Sequence, residues 1–303
     1  MDYNERRMME FVSCNLCNSN STKPLMNING FHIVKCRNCG LAYVNPRLKP
    51  VSLHKIYNKN YYKNPAFNGA KSSLWGYIEY LQEKDFIVAT FKKRLDQIEN
   101  YLKGGKLLDV GCAYGFFLEL AKKNGWQVQG MEISEAAYRY AKNKLKLPVL
   151  NNALEEAKFK NESFDVVTLF DVIEHLPNPN ATIKEIRRIL KPNGLLVITT
   201  PDIGSLSAKI LGRNWEEVKR VREHIYFFSK STLKSMLELN NFKVLRTESA
   251  GRYFSVDSAI KRGKIYNKKI FGFIEKLSDI LNLSNKRIYV NPFYKMTMYA
   301  RKI

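Results

Sequence analysis

Long apolar runs are missing from this chain of 303 residues. No run reaches the ~18 residues that a bilayer-spanning helix needs. No signal-type apolar segment follows the basic pair Arg6-Arg7 either. A cytoplasmic location is the resulting expectation. Acidic side chains are also few: 28 Asp and Glu stand against 50 Lys and Arg, for a formal net charge of +22. That balance argues against basic partners and favours anionic ones, whether phosphorylated small molecules, nucleic acid or an anionic membrane surface. A solvated lysine surface would give the same sum. Cysteine occurs five times, with four of the five before Gly40, so no disulfide framework spans the rest. The dinucleotide fingerprint G-x-G-x-x-G is absent, and with it the usual cradle for a pyrophosphate.

What is present is organised around the stretch Lys106 to Glu119, KLLDVGCAYGFFLE. It reads as a buried strand, a tight turn from Gly111 to Gly115, and the start of an amphipathic helix at Phe116 and Phe117. Glycine permits backbone angles closed to other residues and lets a ligand lie on the main chain. The following helix turns N–H groups toward that ligand. A second strand, GWQVQGMEIS, carries Glu132 about 20 residues after the turn, where an acid would meet ribose hydroxyls.

With FDVVTLFDVIEHLPNP and LKPNGLLVITTP following in order, residues 104–242 resemble the class I S-adenosylmethionine (SAM)-dependent methyltransferases. The resemblance implies an α/β fold, a Rossmann-like seven-stranded sheet with helices on both faces. It further implies that Asp109 braces the turn and reaches toward the methionine ammonium. Gly111, Cys112 and Gly115 would lie against methionine and ribose, and Glu132 would hold the ribose hydroxyls. Ile133 would pack on adenine beside Ala153 and Leu154, and Phe170 and Asp171 would line the methionine arm. Many members have Gly where this chain has Ala113.

The N-terminal cysteines form two C-x2-C pairs, Cys14 with Cys17 and Cys36 with Cys39. Each pair fits a turn aiming two thiolates at one metal, and together they suit a closed, structural zinc site. Disulfides and a ribbon that has lost its metal are the alternatives. Phe31–Lys35 and Leu41–Val44 read as paired strands of a small ribbon, and His32 as a strand residue. Residues 1–48 are thus expected to form a zinc ribbon, 49–103 a linker and N-terminal helices, and 104–303 the catalytic core. Tyr57, Tyr61 and Tyr62 are candidates to close over SAM, as in similar methyltransferases.

Within the core, residues 201–228 are expected to form a lid over the acceptor, with Trp215 as an apolar wall. His224 and His175 are the candidate bases for deprotonating an acceptor. A basic, amphipathic helix is expected at 264–282, either covering the sheet or lying on an anionic membrane, peripheral to its inner surface. The expected activity is methyl transfer to a small molecule, a sugar, glycan or lipid-linked intermediate. Ribosomal or transfer RNA methylation is the alternative, although the fourth strand ends in Phe170-Asp171-Val172 and lacks the N-P-P-[YF] motif of many base N-methyltransferases. A non-catalytic SAM-binding adaptor is a third reading.

Overall fold

A computed structural model describes residues 8–52, 81–264 and 267–303. Tyr57, Tyr61 and Tyr62 lie outside them. The chain begins with β1 (Met9–Glu10), β2 (Thr22–Ile28), β3 (Phe31–Cys36), β4 (Ala42–Val44) and β5 (Arg47–Leu48). The alternation read at Phe31–Lys35 becomes β3, antiparallel to both β2 and β4, while β1 pairs with β5. Helix α1 (Lys84–Glu99) then buries Ile87, Leu95 and Ile98 at helical spacing.

The core follows as β6 (Lys106–Val110), α2 (Phe116–Lys123), β7 (Gln127–Met131), α3 (Glu135–Arg139), β8 (Val149–Leu150), β9 (Phe164–Phe170), α4 (Pro179–Ile189) and β10 (Leu190–Pro201). Strand β9 is apolar almost throughout because helices cover both faces of a parallel sheet. The turn expected at Lys191–Gly194 survives as an irregularity inside β10, where the register breaks between Leu190 and Leu195. Next come α5 (Leu206–Leu211), α6 (Glu216–Lys219), β11 (Tyr226–Phe227), α7 (Lys230–Leu239), β12 (Phe242–Ser255), α8 (Val256–Gly263), α9 (Lys268–Ile280) and β13 (Arg287–Lys302). The main sheet has seven strands in the order β12-β13-β10-β9-β6-β7-β8.

Three expectations change. The basic helix of 264–282 is shorter, and α8 precedes it; both sit between the two long strands β12 and β13. Its apolar residues Ile270, Phe273 and Ile280 stay exposed, so it does not cover the sheet. Trp215 is buried in the larger hydrophobic cluster, which includes ribbon residues such as Ile33 and Tyr43, and it does not line the cavity described below. The insertion 201–228 contributes no residue to that cavity. Its strand β11 instead joins β4, so that three ribbon strands and one core strand make a single sheet in the order β11-β4-β3-β2.

Candidate active site and cysteine cluster

A cavity of about 560 Å³ opens at the C-terminal ends of β6, β7 and β9, a size within the usual range for small-ligand sites. Its floor is the glycine turn. Gly111 has φ 75, and a Cβ there would stand 2.5 Å from Val172 Cγ2. Ala113 takes φ 48, a left-handed angle, and its N–H donates to Glu132 Oε2 at 2.8 Å. That bond, with the Ser134 N–H to Oε1 at 2.7 Å, offsets the ~1–2 kcal/mol cost of a Cβ in this region. Gly115 is not on the cavity wall. It caps α2 at φ 80, and a Cβ there would meet Leu147 at 2.7 Å.

Asp109, Cys112, Glu132, Ile133, Ala153, Leu154, Phe170 and Asp171 all line the cavity. Thr168 Oγ1 donates to Asp109 Oδ1 at 2.7 Å. Burial pushes the Asp109 carboxyl up to about 7 against that bond. Burial likewise pushes Glu132 up to about 7, with the Ser134 and Ala113 N–H groups pulling the other way. Asp171 is half-buried; burial raises its carboxyl, but Lys295 and Arg94 more than reverse this and hold it low. Lys295 Nζ donates to Asp171 Oδ1 at 2.8 Å, tying β13 to the end of β9. Cys112 is a packed thiol that burial raises well above its ordinary value.

Among the lining residues that escaped the sequence reading are Arg94 and Asn152. Arg94, on α1, lies 4.7 Å from the Phe170 ring centre and 5.6 Å from that of Phe91. Asn152 presents a buried Oδ1 that has no hydrogen-bond partner among the described residues. The helical period of α1 was legible, but its one cavity-facing cation gives no periodic signal. A buried orphan acceptor beside an acid pair and a glycine floor suits a polar, partly cationic ligand such as SAM.

The two histidines separate. His175 lines the cavity, whereas His224 is 1 % exposed and stands behind it. Their rings meet edge-on at 4.6 Å. His175 Nδ1 lies 3.0 Å from the Glu223 carbonyl oxygen, which places its proton on Nδ1 and the lone pair on Nε2. Burial pushes His175 down to about 4, against the raising charge of Glu223. Burial, Arg220 and His175 hold His224 well below its ordinary range, and its Nδ1 is 3.4 Å from Glu217 Oε2. Glu174 accepts from Thr200 Oγ1 at 2.9 Å and is pushed up to about 8 by burial and by Asp171. Glu174, His175 and His224 bring one potential ligand atom each to within 4.8 Å of the others.

The four cysteines do the same at the N-terminus. Cys14 Sγ is 3.3 Å from Cys39 Sγ, and Cys17 Sγ is 3.5 Å from Cys36 Sγ. These gaps are too long for disulfides and near the ~3.8 Å edge of a tetrahedron with ~2.3 Å metal–sulfur bonds. Burial pushes Cys14 up to about 11. The donor set and spacing fit zinc. The cluster is sewn to the cavity: Asn15 Nδ2 donates to Asn178 Oδ1 at 2.9 Å, and the Asn180 N–H donates to Asn15 Oδ1 at 2.8 Å. Buried Arg47 donates to the Pro177 carbonyl at 2.8 Å and to Tyr226 Oη at 3.0 Å.

One pH effect follows from the acid pair. Saturating SAM is expected to raise the melting temperature more at pH 8 than at pH 6, because Asp109 and Glu132 ionise through about 7 and the ligand is cationic. Without ligand the sign reverses. A carboxyl raised in the fold lends stability below its ordinary value near 4 and loses it as pH rises through about 7. A SAM-induced shift that is flat across this window, measured by thermal melts, would remove both carboxylates from contact with the ligand.

Comparison with known proteins agrees with this geometry. A sequence model of the methyltransferase domain matches residues 80–247, more than half of the chain. The ubiquinone biosynthesis O-methyltransferase of Coxiella burnetii is 35% identical over 114 residues, which are 35% of this chain and 49% of that protein. The mitochondrial protein of the same name from Schizosaccharomyces pombe is 35% identical over 123 residues, 38% of this chain and 43% of that one. The match thus spans about half the length of these curated relatives or less. In fold, a SAM-dependent methyltransferase from Archaeoglobus fulgidus has a TM-score of 0.50 at 21% identity, covering 74% of this chain and 99% of the other. One from Thermotoga maritima has a TM-score of 0.51 at 20% identity, covering 76% and 98%. With the family match, the glycine floor and the acidic strand end in agreement, the chain belongs to the methyltransferase-domain family and has the Rossmann-like fold of SAM-dependent methyltransferases.

Proposed function

We propose that the enzyme methylates a hydroxyl oxygen of a small-molecule acceptor, with His175 as the base. The observation that carries this reading is the neutral imidazole on the cavity wall, its lone pair on Nε2 and its Nδ1–H held by the Glu223 carbonyl. SAM, when bound, supplies an electrophilic methyl group on a sulfonium. Glu132 holds the ribose hydroxyls, Ile133 packs on adenine, and Asn152 with the Leu154 N–H reads the adenine edge. Asp109 meets the methionine ammonium and Arg94 its carboxylate, beside Phe170 and Asp171. The acceptor oxygen must sit about 3 Å from the methyl carbon, and His175 takes its proton.

The printed names of the relatives, O-methyltransferases of ubiquinone biosynthesis, favour oxygen as the acceptor atom and lend nothing to the sugar or glycan expected from the ribbon. The +22 charge alone supports the RNA alternative. Family membership favours catalysis over the non-catalytic adaptor. We assign residues 1–48 to a ribbon holding a structural zinc through Cys14, Cys17, Cys36 and Cys39, and 104–303 to the catalytic core. Among the described residues no helix is long and apolar enough to cross a membrane.

Methyl-labelled SAM offered with a catechol, an aryl amine, a nucleotide sugar and transfer RNA tests the reading. Label is expected on the catechol oxygen. Transfer confined to the amine, the sugar or the RNA would overturn it.

A further inference from the structure

We propose that α9, between the long strands β12 and β13, docks on an anionic lipid bilayer and holds the enzyme there with its cavity beside the surface. Going beyond the reaction itself, the proposal stands on an inversion in how this helix is used. Globular helices turn their apolar stripe inward. In α7, for example, Leu233, Met236 and Leu237 are buried. In α9 the one buried residue is Ser278. Ile270, Phe273, Ile274, Leu277, Ile280 and the adjoining Leu281 are between 38% and 75% exposed. At about 100° per residue these six fall on one arc of about 120°.

The face that α9 turns to the protein is a different one. Gly263 at the end of α8 lets the Phe271 ring approach so closely that a Cβ on Gly263 would lie 2.1 Å from it. That contact fixes the roll of α9 and leaves the apolar arc outward. On the same wheel Lys269 and Lys276 fall at the open edge of the arc, both exposed, while Lys268 falls on the far side. Neither Lys269 nor Lys276 has a carboxylate partner among the ion pairs of the described residues.

Charge selects the occupant. Residues 252–303 hold 12 basic and 3 acidic side chains. Two of those acids are already paired, Glu275 with Lys264 and Asp257 with Lys261. A second copy of the chain would bring two basic rims together, whereas anionic headgroups neutralise them as the arc enters the acyl boundary. Position adds a use. Arg252 lines the cavity, and the ladder that runs from Arg252 opposite Val290 to Ser255 opposite Arg287 leads from there to α8 and α9.

The test is flotation of the full chain with phosphatidylcholine vesicles and with vesicles containing phosphatidylglycerol, at low and physiological salt. The chain is expected to float with the anionic vesicles and to float less as salt rises. Phe273→Ser with Ile280→Ser, and separately Lys269→Glu with Lys276→Glu, are each expected to lower vesicle partition at least about tenfold. Both should leave the melting temperature and its SAM-induced shift unchanged, since these side chains are exposed. No flotation with anionic vesicles at low salt would overturn the proposal. So would undiminished flotation of the serine pair, which would reduce binding to net charge alone. A dimer in light scattering that the serine pair dissolves would assign the face to a second copy instead.

Discussion

His175→Ala is expected to lower kcat on a hydroxyl acceptor by about 10²–10⁴-fold, the range for loss of a positioned general base. SAM affinity should stay near that of the parent, because His175 lines the wall after β9 whereas Glu132 stands at the end of β7. The imidazole is neutral at working pH, since burial pushes it down to about 4. Once it has taken the acceptor proton, burial and the Arg220 guanidinium oppose the charged form while the Glu223 and Asp171 carboxylates favour it, so the imidazolium returns its proton readily. A merely structural role would cost about 1 kcal/mol for the bond to the Glu223 carbonyl and would appear in the melting temperature. The pH profile separates the two roles. In the alanine variant the residual rate should climb with hydroxide and show no plateau. Unchanged kcat, or equal loss of SAM binding and turnover, would remove His175 as the base. His224→Ala is a control of opposite character, because that ring is walled off from the cavity and its loss should be felt first as instability.

Chelation at the cysteine cluster, proposed above to hold zinc, is expected to abolish turnover and spare SAM binding. The protein should carry about one zinc per chain with four sulfur ligands. Sites of this kind bind with ~10–16 kcal/mol of apparent free energy, much of which is folding energy. What that energy holds is visible in the contacts. Asn178, which lines the cavity, caps α4 by accepting from the Ala181 N–H at 3.1 Å. The same Oδ1 accepts from Asn15, next to Cys14. The Val44 N–H donates to the Ile225 carbonyl, and the Ile225 N–H to the Glu174 carbonyl, both at 3.0 Å. Chelation, or Cys14→Ser, should therefore loosen the acceptor wall first. The glycine turn and Glu132 hang on β6 and β7, away from these bonds. A chelated protein that keeps both its turnover and its SAM-induced melting shift, or one that loses both together with its far-ultraviolet circular dichroism, would refute the coupling.

The parts legible in the sequence were those set by neighbours along the chain. Strands β6, β7 and β9 and the Gly111 turn announce themselves because a buried parallel strand is apolar and a ligand-bearing turn needs glycine. The acid at Glu132 sits at a fixed distance along the same unit. Distant partners were illegible. Tyr226 and Phe227 make a two-residue strand whose only signal is the edge of β4. Trp215 looked like a pocket wall because nothing in its neighbourhood tells that it joins a core cluster shared with the ribbon. The place of His224 at the end of the insertion favoured it over His175 as the base, and only the fold puts His175 in front. A stripe on α9 was legible, but it took in Phe271 and set Lys268 beside it; which residues face outward depends on Gly263 and Phe271, a contact between two helices.

The sheet that joins β2, β3 and β4 to β11 also sets an order of events during synthesis. Its first three strands leave the ribosome early, while β11 lies some 180 residues further along, with Tyr226 opposite Tyr43. Such a closure is non-local and slow compared with the hairpins around it. The four ribbon cysteines emerge together with these strands, yet the β4 edge stays open until most of the core has emerged. An open strand edge invites pairing with other chains. The vulnerable species expected during synthesis is therefore a nascent chain whose ribbon has formed with β4 still unpaired.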